Sequence, residues 1–594
     1  MTLYTGSQLA LEYFKKAGIK HVFGIPGHGN AALTDVLYDM KKDMEFIPIK
    51  HEQYGGHMAD GYFRANRKTP AIVTTSVGPG ATNLATALAT AYVDSSTFIA
   101  LTGDIQTYLL GKGIFQEIER QFQSDYINAM RHFTKRAYFV TDVRQLPNAI
   151  SNGLKEAVCG RPGPVLIGLP MNIQTDTIDV DINSIPLVLQ VGRIRPDREK
   201  IIEAAKLLVS SERPFILVGG GVVMSDATEE LVKLAELLGA PVATTFRGDA
   251  KGSFPETHEL YVFSVGNIGN PVANKLASEA DVILAIGVTF SDETTSSYVR
   301  GITFNIPPTK VIQIDIDPHE IGKNYPVEIG IWADAKTALA ELYEAVESLG
   351  KRGKNISEYT KRIREMKQQW FNEVEELRKQ APMGIPALTK ILRENLSNDT
   401  IITLSAGLPQ EIFSQLWITD KPRTFISSGG FSTMGFALPA AIGAKLAVGD
   451  TPVIAIEGDG SFLMNNIELL TASQQNLPVI TIILNNYGWI SIRDLQIRNF
   501  EHRLIGTEFR DRRGNLKAPS FEKIAKGYGA EYFKAETPEE VISTVKSALK
   551  ISDTPSVIEI MIENKFPYSG TKAYGYWDIP RRSGTSDKEV RSSR

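Results

Sequence analysis

Short apolar runs alternate with longer segments of helical period along most of the chain, and this pattern predicts repeated βαβ units. In residues 1–180 the runs end in polar or glycine-containing turns, as parallel strands do before their crossover helices. The predicted strands of this block lie in HVFGIPG, IPIK, PAIVTTSVGPG, TFIALTGD and GPVLIGLP. They predict a first doubly wound parallel sheet.

Two further blocks repeat this rhythm. Residues 190–350 contain the runs PFILVGGG, PVATTF, VILAIGV and KVIQIDID. Residues 382–565 contain TIITLSAG, RTFISS, PVIAIEGDGS, PVITIILNN and PSVIEIMI. The predicted fold class is therefore α/β, with three doubly wound parallel-sheet domains.

The segments between and after the blocks have a different character. Residues 174–195 break the rhythm and are predicted to be a linker, whereas the charged segment 350–381 has a helical pattern. Residues 566–594 form a polar tail, and its aromatic group at 574–577 makes it a candidate lid.

Composition narrows the class further. The chain has 594 residues, of which 43% are hydrophobic and 22% charged, and its formal net charge is −4. These values are ordinary for a globular protein and predict no nucleic-acid surface. No apolar run reaches the ~18 residues that a membrane span needs. Cys159 is the one cysteine, so no disulfide can form within the chain, and we expect a reducing, cytoplasmic location.

The third block carries an acid and an amide after two successive predicted strands. Asp459 lies in EGDGSF, and Asn486 ends the run ITIILNN. Neighbouring parallel strands would bring a carboxylate, an amide oxygen and a main-chain carbonyl to one edge, a set that suits Mg²⁺. Gly460 and Ser461 would let main-chain N–H groups face a diphosphate. The alternative is that GDG is only a turn and NN only a strand end.

The first block carries two further signals. Glu52, in His51-Glu52-Gln53, follows the run IPIK, where a buried carboxylate could address a cofactor nitrogen. The alternative is a solvated acid at a helix start, favoured by the helix dipole. His28 lies inside the tight turn GIPGHGN, where small residues bring backbone and ligand together. The alternative is a turn residue that faces water.

Six stretches form a joint pattern: HEQ (51–53), HMADGY (57–62), TSVGPGATN (75–83), GRPGPV (160–165), STMGFALPAAIGA (432–444) and GDG…NN. Together they resemble the thiamine-diphosphate-dependent enzymes of the acetolactate synthase type. The resemblance covers about residues 1–565 and implies a pyrimidine-binding domain (1–180), a central nucleotide-binding-like domain (190–350) and a diphosphate-binding domain (382–565). It also implies a homodimer or homotetramer with active sites between subunits, acting on a small-molecule carbonyl substrate.

The resemblance implies a role for each matching residue. Glu52 would hydrogen-bond the aminopyrimidine N1′ and favour the tautomer that takes the proton from thiazolium C2. Met434 would hold the cofactor in its bent shape, and the carbonyl of Ser432 would accept from the 4′-amino group. The residues implied for Mg²⁺ are Asp459, Asn486 and the carbonyl of Gly488, and those along the cofactor diphosphate are Gly407, Leu408, Gly458, Gly460 and Ser461.

Other residues depart from the synthase pattern. His28 stands where the synthases have a glycine, and Leu408-Pro409 replaces a Gln-His pair. Leu495 stands where the synthases have the tryptophan that selects the second 2-keto acid. These departures, with GHGN, AGLPQ and GTEFR, look like trihydroxycyclohexane-1,2-dione acylhydrolase, the ring-opening thiamine enzyme of inositol catabolism.

On that resemblance the predicted activity is hydrolytic ring opening of a cyclic 1,2-diketone. Its proton transfers suit a histidine, so His28 is predicted to be an acid/base group, supported by Asn30. Gln116 matches a glutamine that faces the substrate or cofactor. One alternative is decarboxylation and carboligation of 2-keto acids, as in acetolactate synthase. Another is a catalytically silent paralogue, which has no need of the acid and both metal-binding side chains.

The central block offers a candidate nucleotide site. GGG at 219–221 and DIDP at 315–318 match the domain that holds flavin adenine dinucleotide in the synthases, and glycine-rich strand ends can host a nucleotide. Glu293 stands where the synthases have an arginine, which places negative charge near an anion-rich cofactor. FAD or another nucleotide is a candidate ligand, and the alternative is a purely structural domain.

Overall fold

The computed structural model describes residues 2–66, 69–118, 125–189, 191–246, 249–350, 356–563 and 572–579. These residues form three parallel six-stranded sheets, one in each predicted block, and a two-stranded antiparallel ribbon. The predicted α/β class with three doubly wound sheets is confirmed. None of the helices in these ranges combines the length and the hydropathy needed to cross a membrane.

The first domain is one such sheet with helices on both faces. Its strands are β1 (Thr2–Thr5), β2 (His21–Gly24), β3 (Glu45–Pro48), β4 (Ile72–Thr75), β5 (Ile99–Asp104), β6 (Arg136–Phe139), β7 (Val165–Pro170) and β8 (Thr177–Val180). Its helices are α1 (Gly6–Lys16), α2 (Ala31–Asp39), α3 (Glu52–Asn66), α4 (Pro79–Thr82), α5 (Ala85–Val93), α6 (Asp125–Met130), α7 (Leu146–Val158) and α8 (Met171–Thr175). The sheet order is β3-β2-β4-β5-β7-β6, so the carboxyl ends of β3, β2, β4 and β5 lie side by side.

The central domain has the strand order β11-β10-β9-β12-β13-β14. Its strands are β9 (Pro214–Val218), β10 (Val242–Thr244), β11 (Tyr261–Ser264), β12 (Val282–Ile286), β13 (Lys310–Asp315) and β14 (Ile329–Trp332). Its helices are α9 (Arg198–Ser210), α10 (Gly220–Met224), α11 (Thr228–Leu238), α12 (Pro271–Glu279) and α13 (Ala335–Ser348). The order reverses between β9 and β12, the point where open α/β sheets bind ligands.

The third domain has the order β16-β15-β17-β18-β20-β19, and helix α14 (Ile356–Gln380) precedes it. Its strands are β15 (Ile401–Leu404), β16 (Phe425–Ser427), β17 (Val453–Gly458), β18 (Ile480–Asn485), β19 (Glu531–Ala535) and β20 (Ser556–Met561). Its helices are α15 (Ile385–Asn395), α16 (Leu408–Leu416), α17 (Ala437–Val448), α18 (Asp459–Asn465), α19 (Leu469–Gln474), α20 (Ile490–Asn499), α21 (Phe521–Gly527) and α22 (Pro538–Ala548). The helical pattern predicted for 350–381 is confirmed by α14.

The sequence pattern missed one kind of strand. Strands β6, β11, β14 and β19 all lie at sheet edges. Of these, β6, β14 and β19 are partly exposed along their length and β11 has only four residues, so they lack the long apolar run that marks a central parallel strand. The other two edge strands, β3 and β16, lie in predicted runs. The predicted linker 174–195 is also partly wrong, because β8 lies within it and pairs antiparallel with β1.

Helices α3 and α17 join the first and third domains through close backbone contact. A Cβ on Gly61 would lie 2.2 Å from the carbonyl oxygen of Ala440, and one on Gly443 would lie 1.8 Å from that of Met58. Glycine at both positions therefore lets the two helices approach closely. One hydrophobic core cluster runs through this contact from the first domain into the third.

Candidate active site

Four neighbouring strands of the third domain carry all the residues predicted for the diphosphate and metal. Gly407, Asp459 and Asn486 follow β15, β17 and β18 respectively, and Ser432, predicted for the 4′-amino group, lies in the turn after β16. These strands are adjacent in the order β16-β15-β17-β18, and all four segments leave the carboxyl edge of a parallel sheet. The predicted residues are therefore collected at one edge, as the strand pattern required.

Asp459 is the buried acid of this edge. It begins α18, is 1% exposed, and its Oδ2 accepts hydrogen bonds from the main-chain N–H groups of Asn486 and Gly488, both at 3.1 Å. Its Oδ1 accepts from Gly460 N at 2.7 Å. Burial raises the pKa of Asp459 to about 6, although these N–H groups oppose the shift. The loop after β18 is thus folded around the Asp459 carboxylate.

The donor set fits a hard divalent cation. No group of three histidine, cysteine or acidic side chains that could hold a metal occurs among the described residues. A cation here would instead combine one carboxylate with amide and carbonyl oxygens, a set typical of Mg²⁺, which keeps few protein ligands. The hydrogen bonds from Asn486 N and Gly488 N to Asp459 Oδ2 hold these residues beside the carboxylate, as such a ligand set requires.

The diphosphate side of the edge is lined by small residues. Gly407 has φ +112°, and the nine-residue helix α16 begins at the next residue, so the first-turn N–H groups of Leu408 and Gln410 lie at this edge. Pro409, between them, has no N–H. A Cβ on Gly458 would meet nothing within 4 Å, which leaves space for a ligand. The Ser461 hydroxyl is already used, because it donates to Glu457 Oε2 at 2.9 Å and accepts from Gly435 N at 2.8 Å.

The turn after β16 holds Ser432 in an unusual conformation and also carries Met434. Ser432 has φ +56°, in the left-handed region that non-glycine residues rarely adopt. The next carbonyl, that of Thr433, accepts from Ala406 N at 3.2 Å and so ties this turn to the diphosphate loop. Met434 is half-buried at the end of the turn. Such a strained turn is typical of a ligand-holding segment.

The first domain presents Glu52 at its own carboxyl edge. Glu52 begins α3 and is 8% exposed, so it is not a solvated acid. Its Oε2 accepts from Asn83 Nδ2 at 2.9 Å, and a Cβ on Gly80 would lie 3.0 Å from Oε1. Gly80 thus leaves that side of the carboxylate open for a ligand atom.

His28 and Gln116, predicted separately, are brought together by the fold. His28 follows β2 and Gln116 lies in the loop after β5, and His28 Nδ1 lies 3.1 Å from Gln116 Oε1. Because an amide oxygen only accepts, Nδ1 donates, and the neutral ring keeps Nε2 as an acceptor. Gln116 has φ +69°, a strained conformation of the kind found at functional sites. The pair lies on the same edge as Glu52.

The contacts of Asn30 lie within the turn that carries His28 and the sheet beneath it. Asn30 is fully buried; its Oδ1 accepts from Gly27 N at 2.8 Å, and its Nδ2 donates to Ile25 O at 3.2 Å and Thr74 Oγ1 at 3.3 Å. All of these partners belong to the turn or the sheet beneath it. Asn30 therefore holds the turn that carries His28, and its predicted role as a support for His28 stays a prediction.

The structure also adds residues that sequence reasoning did not single out. Asn83 orients Glu52, and only its place in the quoted stretch TSVGPGATN pointed to it. The buried acid Glu457 accepts from Ser405, Ser461 and Asn465, and burial raises its pKa to about 7. Trp489 lies over Gly460, where a Cβ would be 2.6 Å from Nε1. No sequence period marks such contacts, because their partners lie far apart along the chain.

Within one chain, Glu52 faces away from the third domain. Four residues of α3 that contact that domain form a single stripe: Tyr54 (to Met464 O), His57 (to Phe436), Met58 (to Gly443) and Gly61 (to Ala440). Arg64, in the last turn of α3, also reaches the third domain at Ser427 O. Glu52 precedes Tyr54 by two positions, about 200° around the helix, and its carboxylate accepts a hydrogen bond from Asn83 of the first domain.

The central domain brings the glycine-rich turn and its neighbours into close contact. A Cβ on Gly219 would lie 2.0 Å from Gly287 O, so the turn after β9 packs directly against the loop after β12. Tail residues 572–579 lie on this domain, where Gly575 N donates to Asn267 O at 3.0 Å and Asp578 N to Ser297 Oγ at 3.0 Å. FAD binding here, and the lid role of the tail, stay predictions.

Three family models match the three domains. The N-terminal TPP binding domain of thiamine pyrophosphate enzymes matches residues 4–124, the central domain 201–342 and the C-terminal TPP binding domain 405–560. These matches define the class, a three-domain thiamine pyrophosphate enzyme.

Relatives narrow the class. A probable acetolactate synthase large subunit of Methanocaldococcus jannaschii is 38% identical, over 94% of this chain and 92% of the relative. The acetolactate synthase large subunit of Corynebacterium glutamicum is 34% identical over 94% and 87%, and that of Haemophilus influenzae is 30% identical over 95% of each. The chain belongs to the thiamine-pyrophosphate-dependent enzymes of the acetolactate synthase large-subunit type. The expected closeness to trihydroxycyclohexane-1,2-dione acylhydrolase is not supported, and the carboligase alternative is favoured.

Proposed function

We propose that this protein is a thiamine-diphosphate- and Mg²⁺-dependent carboligase that decarboxylates one 2-oxo acid and joins the remaining acyl group to a second carbonyl compound. The observation that carries the proposal is the presence of two polar sheet edges, one with the buried acid Glu52 and one with the buried acid Asp459, in a chain 38% identical to a probable acetolactate synthase large subunit. With pyruvate as both substrates, two molecules would give one molecule of acetolactate and one of CO₂.

Residues of the first domain would transfer protons, and residues of the third domain would bind the metal and the diphosphate. When bound, thiamine diphosphate supplies a nucleophilic carbon and an electron sink for decarboxylation. Glu52 would hold a proton at Oε1, the oxygen beside Gly80, while Asn83 fixes Oε2. Asp459, with Asn486 and the carbonyl of Gly488, would hold Mg²⁺, and the N–H groups after Gly407 would face the diphosphate.

His28 and Gln116 would serve the substrate. The hydrogen bond from Nδ1 to Gln116 orients the imidazole ring and leaves Nε2 to accept or, once protonated, to donate a proton at the carbonyl oxygen of the acceptor substrate. His28 is exposed in the single chain, so a substrate or a second subunit can reach it.

We propose that each active site needs two copies of the chain. Glu52 contacts first-domain groups on the face of α3 opposite the stripe that packs on the third domain of its own chain. A second copy would therefore supply Glu52 to the edge that carries Asp459. This is the homodimer implied by the sequence resemblance.

The direct test of the proposed function is product identification. With thiamine diphosphate, Mg²⁺ and pyruvate, we expect acetolactate and CO₂ in equal amounts, measured by NMR and by CO₂ release. Pyruvate paired with other 2-oxo acids would then define the acceptor range, for which Leu495 on α20 is the predicted selecting residue. Cleavage of a cyclic 1,2-diketone to a ring-opened acid, with no product from pyruvate, would contradict the carboligase proposal.

We expect His28→Ala to lower kcat/KM by about 10²-fold, the usual loss for an acid/base group, and to leave thiamine diphosphate affinity within about twofold. Steady-state kinetics and a cofactor titration measure the two effects separately. His319→Ala, at an exposed position in the central domain, is the matched control and should behave as the wild type. An unchanged kcat/KM in His28→Ala would contradict the acid/base role and leave His28 as a turn residue that faces water.

A further inference from the structure

A fully buried arginine joins the three domains of the chain. The guanidinium of Arg64, in the last turn of α3, donates to both carboxylate oxygens of Asp60 at 2.7 and 3.0 Å and to Ser427 O at 2.8 Å. It also contacts Asp94 at 3.2 Å and Asp249 at 3.4 Å. A buried cation is tolerated only when it is fully paired, so this cluster is a fixed joint of the structure.

One member of this cluster reaches the turn that carries the predicted cofactor residues. Asp94 Oδ1 accepts from Gly430 N at 2.7 Å, while its Oδ2 is the oxygen that Arg64 holds. Gly429 has φ +59°, and a Cβ there would lie 2.0 Å from Asp94 Oδ2. The turn thus begins with its backbone pressed directly against the Asp94 carboxylate.

A second contact holds the far side of the same turn. Thr90, one turn before Asp94 on α5, shares a hydroxyl–hydroxyl hydrogen bond of 2.7 Å with Thr433. Both hydroxyls are buried. The turn 429–434 is therefore clamped at both ends by the first domain, and between the clamps lies Ser432 in its left-handed conformation.

We propose that Asp94, held by Arg64, is a positioning residue that sets the turn 429–434 for thiamine diphosphate. This inference rests on the proposed function, because that function is what gives Ser432 and Met434 a ligand. Asp94 touches neither cofactor nor substrate; it acts through Gly430 N and through the space that only glycine leaves at position 429.

The experiment compares Asp94→Ala with Asp249→Ala. Both variants remove one carboxylate from the same guanidinium, and Asp94 in addition accepts a hydrogen bond from Gly430 N of the turn. We expect Asp94→Ala to raise the Kd of thiamine diphosphate, with saturating Mg²⁺, by at least about tenfold, the size of a lost hydrogen bond to a charged group. Asp249→Ala should stay within about threefold of the wild type. Quenching of tryptophan fluorescence measures the Kd, since Trp489 lies against Gly460.

The readouts separate positioning from general stability. At saturating cofactor we expect Asp94→Ala to keep kcat within about threefold of the wild type, since no reacting group is lost. Asp94→Asn keeps an acceptor for Gly430 N and should give a smaller rise in Kd than Asp94→Ala. Should circular dichroism show that Asp94→Ala is unfolded, Asp94→Asn against Asp249→Ala decides the question alone.

The outcomes distinguish this inference from the proposed function. Equal Kd values in the Asp94 and Asp249 variants would overturn the positioning role and leave the carboligase proposal intact. Wild-type binding of thiamine diphosphate without acetolactate formation would contradict only the carboligase proposal, and the Kd comparison would still hold. A wild-type protein that binds no thiamine diphosphate would overturn both.

Discussion

Glu52→Gln is expected to lower kcat by roughly 10³-fold, the middle of the range for a lost acid/base group, with little change in the folding of the chain. The substitution keeps the shape of the side chain and an oxygen that can accept the hydrogen bond from Asn83. In the wild-type chain this bond joins Asn83 Nδ2 to Glu52 Oε2 at 2.9 Å. The substitution removes only the group that can take and return a proton at Oε1. The measurement is single-turnover kinetics together with NMR exchange of the C2 proton of the bound cofactor, which should slow in parallel.

The matched control for this prediction is Glu45→Gln. Glu45 is an exposed acid at the start of β3, the strand that leads to Glu52, and it should show wild-type exchange and turnover. The exchange and turnover rates of Asn83→Ala should lie between those of Glu52→Gln and Glu45→Gln, because this substitution loosens the Glu52 carboxylate without removing it. Exchange of the C2 proton at the wild-type rate in Glu52→Gln would disprove the assignment of Glu52.

Asp459→Asn is expected to weaken activation by Mg²⁺ by roughly 10²-fold or more, since even partners of metal ligands cost 10–100-fold when they are lost. The substitution preserves size but removes the one buried anionic ligand of the edge. The main-chain N–H groups of Asn486 and Gly488, now bonded to Oδ2, would face an uncharged group. A titration of activity and of cofactor binding against Mg²⁺ measures the effect.

Asp281→Asn provides the control for Asp459→Asn. Asp281 likewise accepts two main-chain N–H groups, from Glu212 at 2.8 Å and Arg213 at 3.0 Å, but it lies in the central domain before β12. We expect a wild-type Mg²⁺ requirement for this variant, whatever its stability. Should both variants need the same Mg²⁺ concentration as the wild type, Asp459 is not a metal ligand.

Part of the candidate site could be predicted from local patterns because parallel sheets impose a simple geometry. Apolar runs followed by polar turns placed Asp459 and Asn486 at the ends of successive strands, and these strands are neighbours in the sheet. The same rule placed Glu52 and His28 on one edge of the first sheet. The assignment of roles came from resemblance to a known family, since spacing alone left a turn, a strand end and a helix start as alternatives.

Contacts between distant segments could not be predicted in this way. The contact of His28 with Gln116 joins residues 88 positions apart, and the buried contacts of Asn30 depend on how its turn lies on the sheet. The edge strands β6, β11, β14 and β19 gave no clear signal either, since their pattern is set by what covers them. A few loop residues predict the hydrolase, and that prediction is not supported. Similarity along the whole chain favours the carboligase.

The sequence by itself determined the three sheets and the set of residues at their carboxyl edges, because hydrophobic period and turn chemistry are local properties. Only the tertiary structure decided which way Glu52 faces, where Arg64 finds its partners and what clamps the turn 429–434. These depend on packing between domains, above all on the contact of α3 with α17, where side chains far apart in the chain must fit one another. No local period records that fit, since each position is fixed by the shape of a partner rather than by its own neighbours.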